Sequence, residues 1–453
     1  MDNWWLIAYS CCEIKCLFYS QHHDSFPRRL ASLVSDPIFA TLAKPTQMLK
    51  RMIIPFLSIL LLACGSPEPS SVKDSTIKKT APVTNRLSEK EKAYYNNKIE
   101  LLYSTSLKRT GFNGSILLAK KGEIVFEDYR GLINFKTKEA ITANSTFHLA
   151  SVSKTFTATV ILHLMEQGKI NLEDEVEKYL PNFPYHNITI KNLLTHRSGL
   201  PKYDHFMDGT RTEVVMVKNK KGKMIKRIRT FKVPIAITGL LSNQSLLAYM
   251  VQYKPAIESM PNRRYSYCNT NYSMLALIVE KITKRTFSDY MRDSVFKQLG
   301  MTNSFIFSIN DTANYVPSYN YNNAPFKLEK LDCIYGDKNV YSTVRDLLKW
   351  DQALYEGKFV RLETMNMAYQ PYSHEKKGQK NYGLGWHLYI NPPDPTVVYH
   401  NGWWHGNNTV FKRLISDSAT VIILGNKFNR SIWTAGKMSS VFTGRPDTTQ
   451  LEQ

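Results

Sequence analysis

Short runs of hydrophobic residues, separated by polar turn residues, occur in two parts of the chain, and this pattern predicts β-strands. Residues 114–131 contain two such segments, separated by Lys121-Gly122, and this arrangement predicts a β-hairpin. Residues 409–415 and 419–425 are apolar segments joined by Ser416-Asp417-Ser418, and they predict a second antiparallel pair. We expect one antiparallel sheet to combine the first hairpin with strands from about 397–426.

Other segments repeat their apolar residues at helical spacing. The predicted helices cover 86–107, Ser151 to Gln167, 271–283, 288–299, 343–356 and 430–442. Glycines at positions 168, 300 and 357 end three of them. The predicted fold class is therefore α/β (α+β). An antiparallel sheet is flanked by helices, a mostly helical region covers about 155–330, and a cleft lies between them.

The segment 48–63 has the pattern of a signal peptide. Lys50 and Arg51 precede an apolar run of about a dozen residues, too short to span a bilayer as a helix. Its end, Leu61-Leu62-Ala63-Cys64, resembles the lipobox of bacterial lipoproteins, whose cysteine is lipidated. The alternative is a short buried core helix.

This interpretation predicts how the first 85 residues are organised. A signal peptide lies at the start of a translated chain, so we expect residues 1–47 to be an untranslated or non-native extension. Cys64 would be the lipidation site, and 64–85, rich in Ser, Pro and Thr, a flexible tether. The protein would then be anchored to a membrane of the bacterial envelope, with its domain, residues 86–445, outside the cytoplasm.

The net charge of +21 fits an anionic partner, and export excludes nucleic acid as the expected one. Eight Lys or Arg and no acid lie between Lys218 and Lys232, around the turn at 220–223. We predict a projecting basic hairpin, inserted at about 204–238. It is either a solvated surface or a contact for anionic lipid or an anionic envelope polymer.

The six cysteines do not form the spaced pairs of a zinc site, and we expect neither a metal nor a cofactor. Cys268 and Cys333 could pair in an oxidising compartment or remain free. Apolar residues at 43% exclude a disordered chain.

A serine and a lysine three residues apart, Ser151 and Lys154, begin the predicted helix that ends at Gln167. Residues at this spacing lie on one helix face. A serine hydroxyl is a weak nucleophile, and a desolvated lysine can serve as its base. A serine and a lysine at this spacing also occur together by chance, so the pair indicates a catalytic site only when other motifs accompany it.

Two further motifs follow in order: Tyr267-Cys268-Asn269, and His400-Asn401-Gly402 before Trp403. Together with the flanking segments 193–200, 341–350 and 382–386, the chain resembles the family of class C β-lactamases, D-alanyl-D-alanine peptidases and related esterases. The resemblance covers about residues 95–440 and implies a β-lactamase/transpeptidase-like fold.

The resemblance also implies a role for each matched residue. Ser151 would be the nucleophile, Lys154 its partner in deprotonation, and Tyr267 a proton carrier with a lowered phenol pKa. Asn269 would hold the substrate amide or the Lys154 ammonium. His400, Gly402 and Trp403 would line the cleft, and the backbone N–H groups of Ser151 and Trp403 would form the oxyanion hole.

Two departures from the β-lactamase pattern bear on the substrate. His400 stands where a lysine is usual, and an imidazole is mostly neutral at neutral pH. Asn401 replaces the usual hydroxyl residue. We therefore expect an envelope-anchored serine hydrolase of the D-alanyl peptidase or esterase type, acting through an acyl-enzyme on a small-molecule or peptide substrate. A class C-like β-lactamase and a non-catalytic cell-wall-binding protein of the same fold are the alternatives.

Overall fold

A computed structural model describes residues 86–207, 210–232, 239–309, 315–375 and 378–445. The predictions for residues 1–85, including the signal peptide, Cys64 and the tether, lie outside the described residues. No helix within these ranges is long and apolar enough to cross a membrane. The strands, in chain order, are β1 Gly114–Lys120, β2 Glu123–Arg130, β3 Leu132–Asn134, β4 Glu139–Ala140, β5 Phe147–His148, β6 Thr210–Lys218, β7 Met224–Lys232, β8 Phe305–Ile306, β9 Val340–Ser342, β10 Lys380–Tyr382, β11 His387–Tyr389, β12 Val397–Trp404, β13 Asn407–Leu414 and β14 Ala419–Gly425.

The α-helices lie between and around these strands. In chain order they are α1 Glu89–Thr105, α2 Ser153–Glu166, α3 Ile190–Leu194, α4 Tyr203–Phe206, α5 Asn243–Tyr253, α6 Asn269–Thr283, α7 Phe287–Met291, α8 Val344–Tyr355, α9 Leu362–Ala368, α10 Ser431–Ala435 and α11 Ser440–Thr443. A 3-10 turn, Ala150–Val152, leads directly into α2. The first two sequence motifs therefore lie at the starts of two long helices, α2 and α6, and the third lies on β12.

The main sheet has seven strands in the order β10-β11-β12-β13-β14-β1-β2, all paired antiparallel. Successive side chains of a strand point to opposite faces. Ile116 and Leu118 therefore pack in one core with α1, α10 and α11, whereas Leu117 and Ala119 pack in the other. That second core joins the sheet to α2, α6 and α8. Both faces of the sheet are covered, as predicted.

The first hairpin turns where the sequence indicates. Lys121 has φ 53° and Gly122 has φ 76°, so both occupy the left-handed region of a two-residue hairpin turn. The second predicted pair is present as β13 and β14. The basic segment folds as β6 and β7, a separate two-stranded sheet. Cys268 and Cys333 are both free.

Two predicted helices are divided in the structure, and two strands of the main sheet were missed. In place of one helix over 288–299, the chain has α7 followed by a π-helix at Arg292–Phe296. The helix predicted over 430–442 is divided into α10, a 3-10 turn at Gly436–Ser439, and α11, because a glycine inside a helix weakens it by about 1 kcal/mol. Strands β10 and β11 were not predicted. Each has three residues, too few for alternation to be recognised.

Candidate active site

Ser151 lies on the 3-10 turn that precedes α2. Ala150, the residue before it, has φ 49°, a strained backbone conformation for a residue with a side chain. The Ala150 N–H donates to His148 Nδ1 at 3.0 Å, which helps to hold this conformation. The turn brings the partly buried Ser151 side chain to the cleft wall.

Lys154 lies one turn further along and is fully buried. Its ammonium nitrogen is 3.1 Å from Ser151 Oγ and donates to the backbone carbonyl of Asp337 at 2.9 Å. Burial lowers the pKa of Lys154 to about 8, although the nearby carboxylates of Asp337 and Asp204 oppose the shift. The sequence expectation of a desolvated lysine beside the serine agrees with this geometry.

Tyr267 contacts both members of this pair. Lys154 Nζ lies 5.0 Å from the centre of its ring, and the Ser151 hydroxyl lies close enough to lower the pKa of its phenol. Burial nevertheless raises that pKa well above its ordinary value, and the contact with Ser151 only partly offsets this. The expected lowering of this pKa was therefore wrong, because desolvation raises it and the nearby carboxylates of Asp337 and Asp204 act in the same direction. A phenol of this kind keeps its proton and can donate it.

Asn269 is the first residue of α6 and lines the cleft beside Tyr267. Its side-chain oxygen is buried and has no hydrogen-bond partner among the described residues. The N-cap of α6 is Cys268, so the Asn269 side chain does not cap the helix. The unpartnered oxygen is free to accept a hydrogen bond from a substrate N–H.

His400 is almost fully buried on β12. Its Nδ1 is 2.7 Å from the backbone carbonyl of Asn401, and its Nε2 is 3.2 Å from the Tyr382 hydroxyl. Burial, with the adjacent His387, holds the pKa of His400 well below its ordinary value. The neutral ring therefore donates from Nδ1 and accepts the Tyr382 O–H at Nε2. The expectation of an uncharged imidazole agrees with this environment.

Gly402 and Trp403 follow on the same strand. The pairing of β11 with β12 ends at His387 opposite Tyr399, so beyond that point the edge of β12 faces the cleft. A Cβ on Gly402 would lie 2.4 Å from the backbone oxygen of Leu149, so only glycine allows the strand to approach the Ser151 turn this closely. The Trp403 side chain is 57% exposed.

The cleft has a volume of about 660 Å³. Of the seven residues predicted for catalysis and substrate binding, six line it and Lys154 lies directly behind Ser151. Those six are Ser151, Tyr267, Asn269, His400, Gly402 and Trp403. Their individual roles remain predictions, as does the oxyanion hole.

Three buried side chains around Tyr267 were not predicted as site residues. The ring centre of His196 is 4.2 Å from that of Tyr267, and Tyr382 and His387 pack on its other sides. Burial lowers the pKa of His387 to about 3 and that of His196 well below its ordinary value. His196 and Tyr382 lie within the flanking segments 193–200 and 382–386, which carried the family resemblance. That resemblance was the signal in the sequence from which these two residues could have been identified.

The comparisons with known proteins agree with this geometry. The family model described as Beta-lactamase matches residues 107–431. Penicillin-binding protein 4* of Bacillus subtilis (strain 168) is 31% identical over 347 residues, which cover 73% of this chain and 71% of that protein. The predicted resemblance to β-lactamases and penicillin-binding proteins is confirmed.

Solved structures show the same fold. The penicillin-binding protein from Bacillus halodurans aligns with a TM-score of 0.60 at 22% identity, covering 74% of this chain and 95% of that one. The β-lactamase/D-alanine carboxypeptidase from Pseudomonas syringae aligns with a TM-score of 0.60 at 17% identity, covering 78% and 99%. The predicted β-lactamase/transpeptidase-like fold is confirmed.

Proposed function

Because the chain belongs to the β-lactamase family of serine hydrolases, we propose that it cleaves a peptide, amide or ester bond through an acyl-enzyme on Ser151, as a D-alanyl peptidase or esterase does. The observation that carries this proposal is the buried Lys154 amine, 3.1 Å from Ser151 Oγ. A lysine with a pKa of about 8 is neutral in about a tenth of the molecules at pH 7, enough to act as a base.

The first chemical step follows from this arrangement. Ser151 Oγ attacks the substrate carbonyl carbon while its proton passes to Lys154 Nζ. The tetrahedral oxyanion lies against the backbone N–H groups of Ser151 and Trp403. Collapse breaks the bond to the leaving group, which takes the Tyr267 phenol proton, and Lys154 then returns a proton to Tyr267. Water releases the acyl group by the reverse proton transfers.

The environment of His400 favours a bond without a carboxylate beside it, such as an ester or an internal amide, over a β-lactam. A penicillin carries a carboxylate, and a cation beside the nucleophile would bind it. Here the imidazole at this position is buried and neutral, with both ring nitrogens in hydrogen bonds to protein groups. His400 therefore offers a substrate carboxylate neither a positive charge nor a free ring nitrogen at this end of the cleft.

Intact-mass measurement tests the proposal. We expect a fluorophosphonate to add one phosphonyl group per chain, and Ser151→Ala to abolish the adduct. Ser106→Ala, at an exposed serine outside the cleft, should label like the unmodified chain. The absence of any adduct would contradict the proposal and favour a non-catalytic cell-wall-binding protein.

A parallel incubation with penicillin separates the enzyme classes. We expect slow or no acylation because the imidazole at position 400 supplies no positive charge for the carboxylate. Rapid multiple turnover of penicillin or of a chromogenic cephalosporin would instead identify a class C-like β-lactamase. A stable penicillin adduct would place the activity with penicillin-binding D-alanyl peptidases.

We also propose that the enzyme is a lipoprotein of the cell envelope. The support is the order of charge, apolar run and Leu61-Leu62-Ala63-Cys64 in the sequence. Bacteria that express the chain should incorporate labelled palmitate into it, and Cys64→Ala should prevent this. Equal incorporation by the variant would contradict lipidation at Cys64.

A further inference from the structure

The two-stranded sheet of β6 and β7 concentrates positive charge in a small part of the chain. Residues 210–232 contain nine Lys or Arg and one Glu, so they contribute a net charge of +8 to the chain's +21. Lys220, Lys221 and Lys223 are exposed at the turn between the strands. Neither strand pairs with any third strand of the described chain. This concentration of charge favours an anionic partner.

The same hairpin also exposes apolar side chains. Val214, Met216 and Met224 are 64%, 51% and 48% exposed. Val214 and Met216 are two positions apart on β6, and Met224 is paired with Lys218, so all three occupy one face of the hairpin. Single exposed apolar residues are ordinary, whereas a group on one face indicates an interaction surface.

We propose that this face of the hairpin docks on a lipid bilayer that contains anionic phospholipids. The lysines would lie among the phosphate headgroups, and the valine and methionine side chains would enter the boundary with the acyl chains. A soluble polyanion would account for the lysines but would leave the three apolar side chains in water. The combination of both features therefore favours a membrane surface.

The position of the hairpin connects this surface to the active site. Asp204 and His205, on the short helix α4, line the cleft. Strand β6 begins at Thr210, four residues after the end of α4 at Phe206. Docking of the hairpin would therefore place one wall of the cleft next to the membrane surface.

Sedimentation with lipid vesicles tests the proposal. The chain is used with Cys64→Ala, so that an acyl anchor does not contribute. We expect it to bind vesicles of phosphatidylglycerol and phosphatidylcholine at least tenfold more tightly than pure phosphatidylcholine at 0.1 M salt. Lys220→Glu, Lys221→Glu and Lys223→Glu together should weaken this binding at least tenfold.

Two further variants make the test specific. Met216→Ser with Met224→Ser keeps the charge and should weaken vesicle binding several-fold, while binding to inorganic polyphosphate stays unchanged. Lys90→Glu, Lys136→Glu and Lys297→Glu together change the net charge equally at exposed sites elsewhere and should have little effect. Thermal unfolding of each variant monitors folding.

Three outcomes would overturn the proposal. Equal binding to the two kinds of vesicle would exclude recognition of anionic lipid. An equal loss in the Lys90, Lys136 and Lys297 variant would show that only overall charge matters. Unchanged vesicle binding after both methionine substitutions would identify a surface for soluble polyanions instead of a bilayer.

Discussion

At the scale of single residues, burial shifts the pKa values of Lys154 and Tyr267 in opposite directions. Lys154 loses the hydration that favours its charged form, so its pKa falls to about 8. Burial has the opposite effect on the neutral Tyr267 phenol and raises its pKa. These opposite pKa shifts suit the roles proposed above, with Lys154 as the base and Tyr267 as the acid.

The lowered pKa of Lys154 predicts how activity depends on pH. Protonated Lys154 cannot accept the serine proton, so kcat/KM should rise with pH along a limb centred near pH 8. Hydrolysis of a neutral ester, measured from pH 5.5 to 9.5, reports this limb. His400→Asn should leave its midpoint in place. A midpoint near 6.5 that disappears in His400→Asn would assign the limb to His400 and contradict the role of Lys154.

Gly402 gives a second prediction at this scale. In Gly402→Ala the new Cβ would clash with Leu149 O, at 2.4 Å, and with Thr409 Oγ1, at 2.2 Å, and would displace β12 from the Ser151 turn. Loss of one oxyanion donor costs about 10²–10³ in kcat, and we expect a decrease of that order. Gly378→Ala is the control, because its Cβ would meet no atom within 4 Å. Steady-state kinetics would give kcat for both variants, with the concentration of active sites determined by fluorophosphonate titration. A kcat for Gly402→Ala close to that of the unmodified enzyme would contradict the predicted clash.

At the scale of elements, a buried ion pair joins the sheet to α8. Arg413 on β13 donates to Asp351 at 2.5 Å, and the two side chains are 1% and 3% exposed. Asp351 also accepts from Thr420 on β14. The pair fixes where α8 lies on the sheet, because a buried charge requires a partner.

Removal of one partner should be strongly destabilising. Asp351→Asn leaves Arg413 charged and uncompensated, and we expect the free energy of unfolding to fall by about 3 kcal/mol. The control is Asp394→Asn in the exposed pair with Arg445, which should cost less than about 1 kcal/mol. Urea denaturation measures the decrease in the free energy of unfolding for both variants. Similar decreases would mean that burial does not make the Arg413–Asp351 pair more important for stability than the exposed pair.

The elements differ in how well the sequence predicted them. The hairpin at Lys121-Gly122 was recognisable because two short strand-like segments flank residues typical of a tight turn. The helix over 430–442 was wrong because apolar spacing continues through Gly436, where the chain adopts a 3-10 turn. The motif residues of the cleft were found, whereas His387 was not, because a single buried histidine has no pattern of its own.

At the scale of the whole molecule, the folded unit is longer than the segment that matches the family model. That segment begins at residue 107, but α1 lies before it. Ile99 and Tyr103 of α1 are fully buried in the core on the outer face of the sheet. The Tyr103 hydroxyl also donates to Asp128 on β2, at 2.6 Å. Helix α1 is therefore part of the domain.

A chain that begins at residue 107 should consequently be much less stable than one that begins at residue 86. Loss of a buried Ile or Tyr costs about 3 kcal/mol each. Because a domain of this size unfolds with an entropy of about 0.7 kcal/mol/K, removal of both should lower the melting temperature by about 8 °C. Differential scanning calorimetry of the two chains measures this. Equal melting temperatures would show that α1 does not belong to the folded unit.

The contact between Lys154 and the Asp337 carbonyl has a consequence for how such an enzyme diverges. Every amino acid supplies a backbone carbonyl, so a substitution at position 337 leaves that acceptor in the chain. A deletion or insertion between Ile334 and Val340 would move it away from the lysine. A change in the length of this segment would therefore alter the environment of Lys154 and, with it, the reactivity of Ser151. Related enzymes could acquire different pH optima by gaining or losing residues there while all three motifs remain intact.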